Sequence, residues 1–425
     1  MKLTLIMPKW KHGLWKIRVF RLPPLSLIRL ASSTSKEWKV EIIDENIEKI
    51  KYDDTDLVAI SAMTPLVNRA YEIADTYRKK GVKVVLGGIH PSVVPMEAIK
   101  HANSVVIGEA DLIWKEVLND FKNDKLKRFY KVKKAPDLSK LSLQRKGLVK
   151  NKYFFPNFIQ STRGCPFGCD FCSVSSFSGK KIRNRPVDQV VKEIKNFKGL
   201  RKKHVFFADD NIAANPAYAK KLFKALKPLK MKWASQASIN IARDEKLLKL
   251  AADSGCKALF IGFESINQNC LKEIHKGYYV KEYKKLINRI HDHGISIEGA
   301  FMFGFDHDDK SVFKKTLDFF LEVNFDFVQL TPLTPLPGTK RFERLKKEKR
   351  IFSYNWDKYD CTHVIFKPKK MSVKELRDGI NWCYENFYSR KSVRKRMLAL
   401  MPKLDLKYLL LIYFINRDYS KIRIS

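Results

Sequence analysis

Along the first 130 residues, apolar and polar positions alternate in short blocks. The runs 3–7, 40–43, 57–61, 82–86 and 104–107 are apolar and rich in β-branched residues. That is the composition of strands covered on both faces of a parallel sheet. Between the third and fourth run, 66–80 places Ala70, Ile73, Ala74 and Tyr77 on one helical face, and Gly81 follows as a stop. This alternation predicts a Rossmann-like, doubly wound parallel α/β sheet, which binds ligands at the carboxyl ends of its strands. A polar stretch at 131–152, with Pro136, reads as a linker. Strand patterns recur at 158–161, 204–208, 232–238, 258–263, 296–303 and 327–330, and helical patterns at 187–197, 218–229, 244–253, 283–293 and 311–323. Six strand–helix units predict a partial (β/α)6 barrel, with polar functional groups gathered at the carboxyl ends of its strands. The expected division is a sheet domain over 1–135, a linker over 136–152, a barrel over 153–345 and a helical C-terminal extension over 346–425.

Composition bounds this picture without changing it. The 425 residues suffice for two or three domains, 45% are hydrophobic, and no repeat or low-complexity tract interrupts them. The first apolar run is too short for a signal peptide, and nowhere do 18 apolar residues follow one another. Charge is unusual: 83 Lys and Arg against 45 acids give +38. Such a surface attracts nucleic acid, anionic membrane or phosphorylated small molecules, although a lysine-rich exterior throughout would produce the same number. Cys256, Cys270, Cys361 and Cys383 are scattered without metal spacing, which fits a reduced, cytoplasmic setting.

The remaining three cysteines are different. Ser161-Thr-Arg-Gly-Cys165-Pro-Phe-Gly-Cys169-Asp-Phe-Cys172 gathers three thiolates around one centre and supplies no fourth. Structural zinc closes with four ligands, whereas an iron–sulfur cube held by three cysteines leaves one iron open. A reduced loop with chance cysteines, or a zinc site borrowing a distant His, are the alternatives. The run resembles the signature of the radical S-adenosylmethionine (SAM) superfamily. The resemblance implies that Cys165, Cys169 and Cys172 each ligate one iron of a 4Fe-4S cluster and that SAM chelates the fourth. It also implies reductive cleavage of SAM to a 5′-deoxyadenosyl radical, with an electron donor such as flavodoxin or ferredoxin.

The loops after the third, fourth and fifth strand patterns are Ser61-Ala-Met-Thr64-Pro65, Gly87-Gly88-Ile-His90-Pro91-Ser92 and Gly108-Glu109-Ala-Asp111. Paired glycines let a bulky ligand lie against bare backbone, and small hydroxyls can bond its polar edge. Directly ahead of the cysteine run, the set resembles the cobalamin-binding domain of a large class of radical SAM enzymes. It implies Ser61, Thr64, Gly87, Gly88, His90, Gly108 and Glu109 as cobalamin contacts. The first loop, Pro8-Lys-Trp10-Lys-His12-Gly13, lacks the Asp-x-His-x-x-Gly motif whose His ligates cobalt in the mutases and methionine synthase. Cobalamin without a protein His beneath the metal is therefore expected.

Past the cysteines, the strand ends carry Ala208-Asp209-Asp210-Asn211, Ser235-Gln236-Ala-Ser238 and Gly262-Phe263-Glu264-Ser265. A carboxylate suits the SAM ammonium or ribose hydroxyls. By resemblance Glu264 is the leading SAM contact, followed by Gln236 and Arg243, and Asp209 stands where the family carries a Gly-Glu pattern. The stretch 291–388, with Pro335-Leu-Pro-Gly-Thr339 and Met371-Ser, resembles the same branch.

From Arg390 onward, Lys or Arg at 390, 391, 394, 395, 396, 403, 407, 417, 421 and 423 face Asp405 and Asp418, with the apolar runs 397–401 and 408–415 among them. This tail fits either a peripheral contact with anionic membrane or a helix capping the barrel. The family reading implies a cobalamin-dependent methylase of an unactivated carbon in a lipid or other apolar small molecule. In that scheme one SAM methylates cob(I)alamin, a second yields the radical that abstracts substrate hydrogen, and the substrate radical takes the methyl. The same cofactors performing cyclisation, oxidation or carbon–carbon bond formation are the alternative. A methylthiotransferase is disfavoured because residues 1–164 contain no cysteine for a second cluster. A basic membrane- or RNA-binding protein with a structural cluster is the reading from another class. No stacked-aromatic RNA motif accompanies the charge, so nucleic acid is not an expected partner.

Overall fold

The computed structural model describes residues 1–12, 21–145, 147–148, 150, 152–197, 203–401 and 406–425, apart from the side chains of Lys407 and Tyr408. Gly13 of the first loop, and Lys403 and Asp405 of the tail, lie outside the described residues.

Sheet one contains β1 (Lys2–Met7), β2 (Lys39–Asp44), β3 (Leu57–Ser61), β4 (Lys83–Gly87), β5 (Ser104–Ile107) and β6 (Phe129–Lys131). Its order is β2-β1-β3-β4-β5-β6, with every neighbouring pair parallel. The order reverses between β1 and β3, which makes the crevice at their carboxyl ends the natural ligand position. Helices α1 (Leu25–Ser33), α2 (Val67–Lys79) and α3 (Trp114–Lys122) cover the faces. Ala70, Ile73, Ala74 and Tyr77 of α2 are buried as the periodicity predicts. The sequence reading did not find β6, α1 or α3.

The second sheet contains β7 (Asn157–Ile159), β8 (His204–Phe207), β9 (Lys232–Ala237), β10 (Cys256–Glu264), β11 (Ser296–Phe303) and β12 (Phe327–Pro332). It runs in sequence order and parallel throughout, with β7 and β12 at its edges, the arrangement of a partial barrel. Helices α4 (Val187–Lys195), α5 (Pro216–Leu226), α6 (Glu245–Asp253), α7 (Tyr283–Asp292) and α8 (Ser311–Val323) alternate with the strands. Then follow α9 (Lys340–Lys347), α10 (Val373–Phe387), α11 (Arg390–Leu400) and α12 (Leu406–Tyr419). The edge strand β12 exposes a row of ladder groups, and α10 closes it: the hydroxyls of Tyr388 and Tyr384 bond N–H and C=O of Val328 and Leu330.

The stretch read as a linker lies against both units. Gln144 donates to Glu193 of α4 and to the carbonyl of Phe158, while Arg145 reaches the carbonyl of Thr34. Beside it, Arg29 of α1 forms a two-pronged pair with Glu193, both prongs 3.0 Å, and Arg185 joins at 2.9 Å. Burial works against this carboxylate, but the two guanidinium groups hold its pKa below the ordinary value.

The tail packs rather than trailing. Leu409, Ile412 and Tyr419 of α12 are buried, and Arg396, one of the tail cations, is 2% exposed. Arg396 and Tyr419 meet Phe325, Asp326, Phe327 and Glu298, at the amino-terminal ends of β11 and β12. The tail therefore covers the end of the barrel opposite the cysteine loop. Among the described residues, no helix is long and apolar enough to cross a membrane.

Candidate functional site: the space between the two sheets

The cysteine loop leaves β7 and is fastened at its base by the acids that end β8. Asp209, fully buried, accepts hydrogen bonds from Ser161 N (2.8 Å), Ser161 Oγ (2.9 Å), Thr162 Oγ1 (3.0 Å) and Thr162 N. Burial raises its pKa to about 6 even so. Asp210 accepts from Gly164 N at 2.9 Å. Gly164 has φ +91°, and a Cβ there would stand 2.6 Å from the carbonyl of Lys181, so glycine is required immediately before Cys165. From the other side, Arg341 at the start of α9 pairs with Asp170 at 2.9 Å and donates its backbone N–H to the Asp170 carbonyl. Cys169 is buried, and Cys165 and Cys172 are half-buried. Burial raises all three thiols, Cys169 to about 12.

Opposite the loop, β10 ends in a register shift between Gly262 and Glu264. Glu264 has φ +67°, an uncommon conformation for a residue with a side chain, and its carboxylate pairs with Lys276 at 2.7 Å. Both side chains are about one-tenth exposed. The ammonium of Lys276 lies over the rings of Phe167, inside the cysteine loop, and Tyr278, at 5.8 and 5.2 Å. Sequence reasoning missed Lys276, since one lysine among many carries no signal. Of the other expected SAM contacts, Gln236 is exposed on β9. Arg243 pairs with the surface residue Glu282. Asp209 has its carboxylate wholly engaged by the loop base, with no exposed surface.

The carboxyl ends of both sheets face one cavity of about 320 Å³. Ser61, Gly87, Gly88, Gly108 and Glu109 line it from sheet one, and Gln160, Arg163, Ala208 and Asp210 from the barrel. Gly88 has φ +100°, and a Cβ would come within 2.6 Å of the Ala62 carbonyl, so the backbone here stays bare. Thr64 and His90 do not line the cavity. His90 is fully buried, with Nδ1 3.3 Å from Thr64 Oγ1, Nε2 3.5 Å from Glu97 and its ring edge-on to Trp356. His12 is exposed beside His363. Across the cavity wall, Arg163 binds Glu109 at 2.8 Å and Asp111 at 2.6 Å, and Arg183 also pairs with Glu109. This network ties the loop after β5 to the residue two before Cys165.

An open parallel sheet and a partial barrel sharing one cavity, whose barrel wall includes Arg163 and Val174 on either side of the three-cysteine run, define a two-part cofactor enzyme. The comparisons agree. The profile of the radical SAM superfamily matches residues 159–320, and that of the B12 binding domain matches residues 20–118. The chain is 34% identical over 389 residues to bacteriochlorophyllide d C-12(1)-methyltransferase of Chlorobaculum tepidum, covering 88% of this chain and 84% of that one. It is 31% identical to the C-8(2)-methyltransferase of the same organism, over 88% and 87%. In fold it resembles the radical SAM methyltransferase TsrM of Kitasatospora setae (TM-score 0.66, 15% identity, 82% and 78% covered). It also resembles the cobalamin-dependent enzyme OxsB (TM-score 0.67, 16% identity, 99% and 71% covered). The chain belongs to the family of cobalamin-dependent radical SAM methyltransferases. Its cofactors are a 4Fe-4S cluster, SAM and cobalamin. The residues present suit them: three thiols on one anchored loop for the cluster, and bare glycine backbone at the carboxyl ends of sheet one for a large flat ligand.

Proposed function

We propose that this enzyme methylates an unactivated carbon of an apolar metabolite, with lipids and tetrapyrroles as the substrate classes. The observation that supports this most is the cavity lined from one side by Arg163, Val174, Phe177 and Ser178, which flank the cysteine run in sequence, and from the other by Gly87, Gly88 and Gly108. When loaded, the cluster supplies the 5′-deoxyadenosyl radical and cobalamin carries the methyl group, after reduction by a flavodoxin or ferredoxin. The chain's own task is placement. Cys165, Cys169 and Cys172 bind the cluster. Glu264 takes the SAM ammonium or ribose through charge-assisted bonds, and the backbone around Ser61, Gly87, Gly88, Gly108 and Glu109 seats the corrin. Apolar walls from Leu25, Leu27 and Val174 keep water from the reacting groups. The relatives named for bacteriochlorophyllide and hopanoid methylation support an apolar substrate.

The test is anaerobic turnover of the reconstituted enzyme with methyl-deuterated SAM and either a bacteriochlorophyllide or a hopanoid. One labelled methyl in the product, with 5′-deoxyadenosine formed, is expected. Formation of 5′-deoxyadenosine with product of unlabelled mass change would favour cyclisation or oxidation instead, as in the relatives named as magnesium-protoporphyrin cyclases.

The outer face of the tail adds a peripheral contact with anionic membrane. Leu398, Met401, Leu406, Leu410, Tyr413 and Phe414 are each about half or more exposed, with Arg390, Lys391, Arg394 and Arg417 nearby in the chain. Because α12 packs at the amino-terminal end of the barrel, this contact tethers the enzyme without opening the cavity into the bilayer. Flotation with anionic liposomes should fall when Leu410 and Phe414 are both changed to Ser. Unchanged flotation removes the membrane reading.

A further inference from the structure

A buried ammonium beside three thiols needs a reason. Transferring a lysine from water into a protein interior is costly unless its charge is met. Lys276 lies just past a short helix (Gln268–Glu273), with its side chain 11% exposed. Its Nζ is held by Glu264 Oε1 at 2.7 Å and is enclosed by the faces of Phe167 and Tyr278. A Cβ added to Gly262 would collide with the Glu264 carboxylate, so the glycine leaves room for the acid that holds the charge at the strand end. Phe167 sits between Cys165 and Cys169, which places the ammonium beside the loop.

Around the loop stand the acids Glu264, Asp210 and Asp170 and the bases Lys276, Arg341 and Lys180, the last so close that a Cβ on Gly168 would stand 2.6 Å from its Nζ. Arg341 is taken up by Asp170 and Glu273, whereas Lys276 meets Glu264 and the Phe167 ring of the loop itself. A cation is thus held against the loop although an acid is paired to it.

We propose that Lys276 is a positioning residue for the electron: a fixed cation that raises the reduction potential of the cluster held by Cys165, Cys169 and Cys172. The inference rests on the cluster assignment above and deepens it. Reduction transfers one electron from the external flavodoxin- or ferredoxin-class donor to the cluster, breaks no bond and moves no proton. The cluster with its three thiolates becomes one charge more negative, and a cation enclosed in low dielectric favours that state over the oxidised one. Glu264 fixes the cation in place and trims its field.

The experiment is an EPR-monitored redox titration of the anaerobically reconstituted holoenzyme without SAM. Lys276→Met keeps the length of the side chain and removes the charge, whereas Lys276→Arg keeps the charge. Lys276→Met should hold full iron and sulfide yet require at least a tenfold greater reducing ratio, 59 mV for one electron. Lys276→Arg should titrate close to wild type. Glu264→Gln should move the potential in the opposite direction, because the cation then acts untrimmed. Protonation of an orphaned Glu264 in Lys276→Met would reduce the shift without reversing it. Equal potentials in loaded wild type and Lys276→Met, or shifts of the same sign in Lys276→Met and Glu264→Gln, overturn the inference. A wild type that takes up no reducible cluster overturns the cofactor assignment as well, so the two failures are told apart.

Discussion

The two ends of the barrel treat buried charge in opposite ways. At the amino-terminal end, Arg396 donates to the carbonyls of Phe325, Asp326 and Phe387 and to Asn416 Oδ1, all between 2.8 and 3.0 Å, and lies 3.7 Å over the ring of Phe387. Asn416 returns a bond to the Asp326 carbonyl. The guanidinium there is nearly saturated by the fold's own backbone, and its role ends with holding α11 and α12 to the sheet. At the carboxyl end, thiols are raised by burial, Glu264 adopts a left-handed conformation, and an ammonium is enclosed among aromatic rings. Those features each cost free energy, and the scaffold gains little from them. A left-handed glutamate and an ammonium enclosed beside three thiols, at the end of the sheet where the cavity opens, mark that end as built for a ligand.

Asp209 is the residue that most sharply tests this division, because it belongs to the functional end yet behaves like scaffold. Replacing it with Ala would leave the buried N–H groups of Ser161 and Thr162 without their acceptor. The expected loss is about 4 kcal/mol of stability, read from the urea midpoint, accompanied by reduced iron uptake on reconstitution. Normal stability with lost activity would instead give Asp209 a direct role toward SAM.

Arg396→Met probes the opposite end and should cost somewhat less, about 3 kcal/mol, since the methionine still fills the space over Phe387. The redox behaviour of a reconstituted cluster should not move. A shifted EPR midpoint in this variant would show that the two ends are coupled and would break the comparison.

What the sequence made legible follows from which interactions are local. Strands β3 and β5 coincide with their apolar runs, because a strand buried on both faces writes its burial directly into residue type. The cysteine spacing and the glycine loops were legible for the same reason: close backbone approach and three thiols on one loop are local demands. Helix α1 was not. Arg29 interrupts its apolar face, and Glu193, the partner that makes this burial tolerable, is 164 residues away. Strand β6, three residues long, is too short to display a period. Asp209 read as a cofactor carboxylate because the sequence shows an acid at a strand end and hides the Ser161 backbone beneath it. Arg396 read as one more solvated cation of the tail, and Lys276 was lost among the surface lysines. In each case the deciding partner is distant in sequence.

The smallest expected effect concerns the seam where the tail meets the barrel interior. Tyr419 donates a hydrogen bond to Glu298, whose carboxyl is pushed up from 4.5 to about 7 by burial. The folded state thus binds this proton more tightly than the unfolded chain does. Between pH 4.5 and 7 the unfolded chain carries the ionised group while the folded protein keeps it protonated, so stability falls as pH rises through that window and levels off above it. Glu298→Gln, neutral throughout, should flatten that part of the melting temperature against pH and leave the values near pH 4.5 almost unchanged. The control is Asp209→Asn, whose carboxyl titrates lower, at about 6, on the other end of the same sheet. If Glu298→Gln leaves the slope between pH 6 and 7 intact, the seam is hydrated when folded and the tail is held by Arg396 and the tyrosines alone.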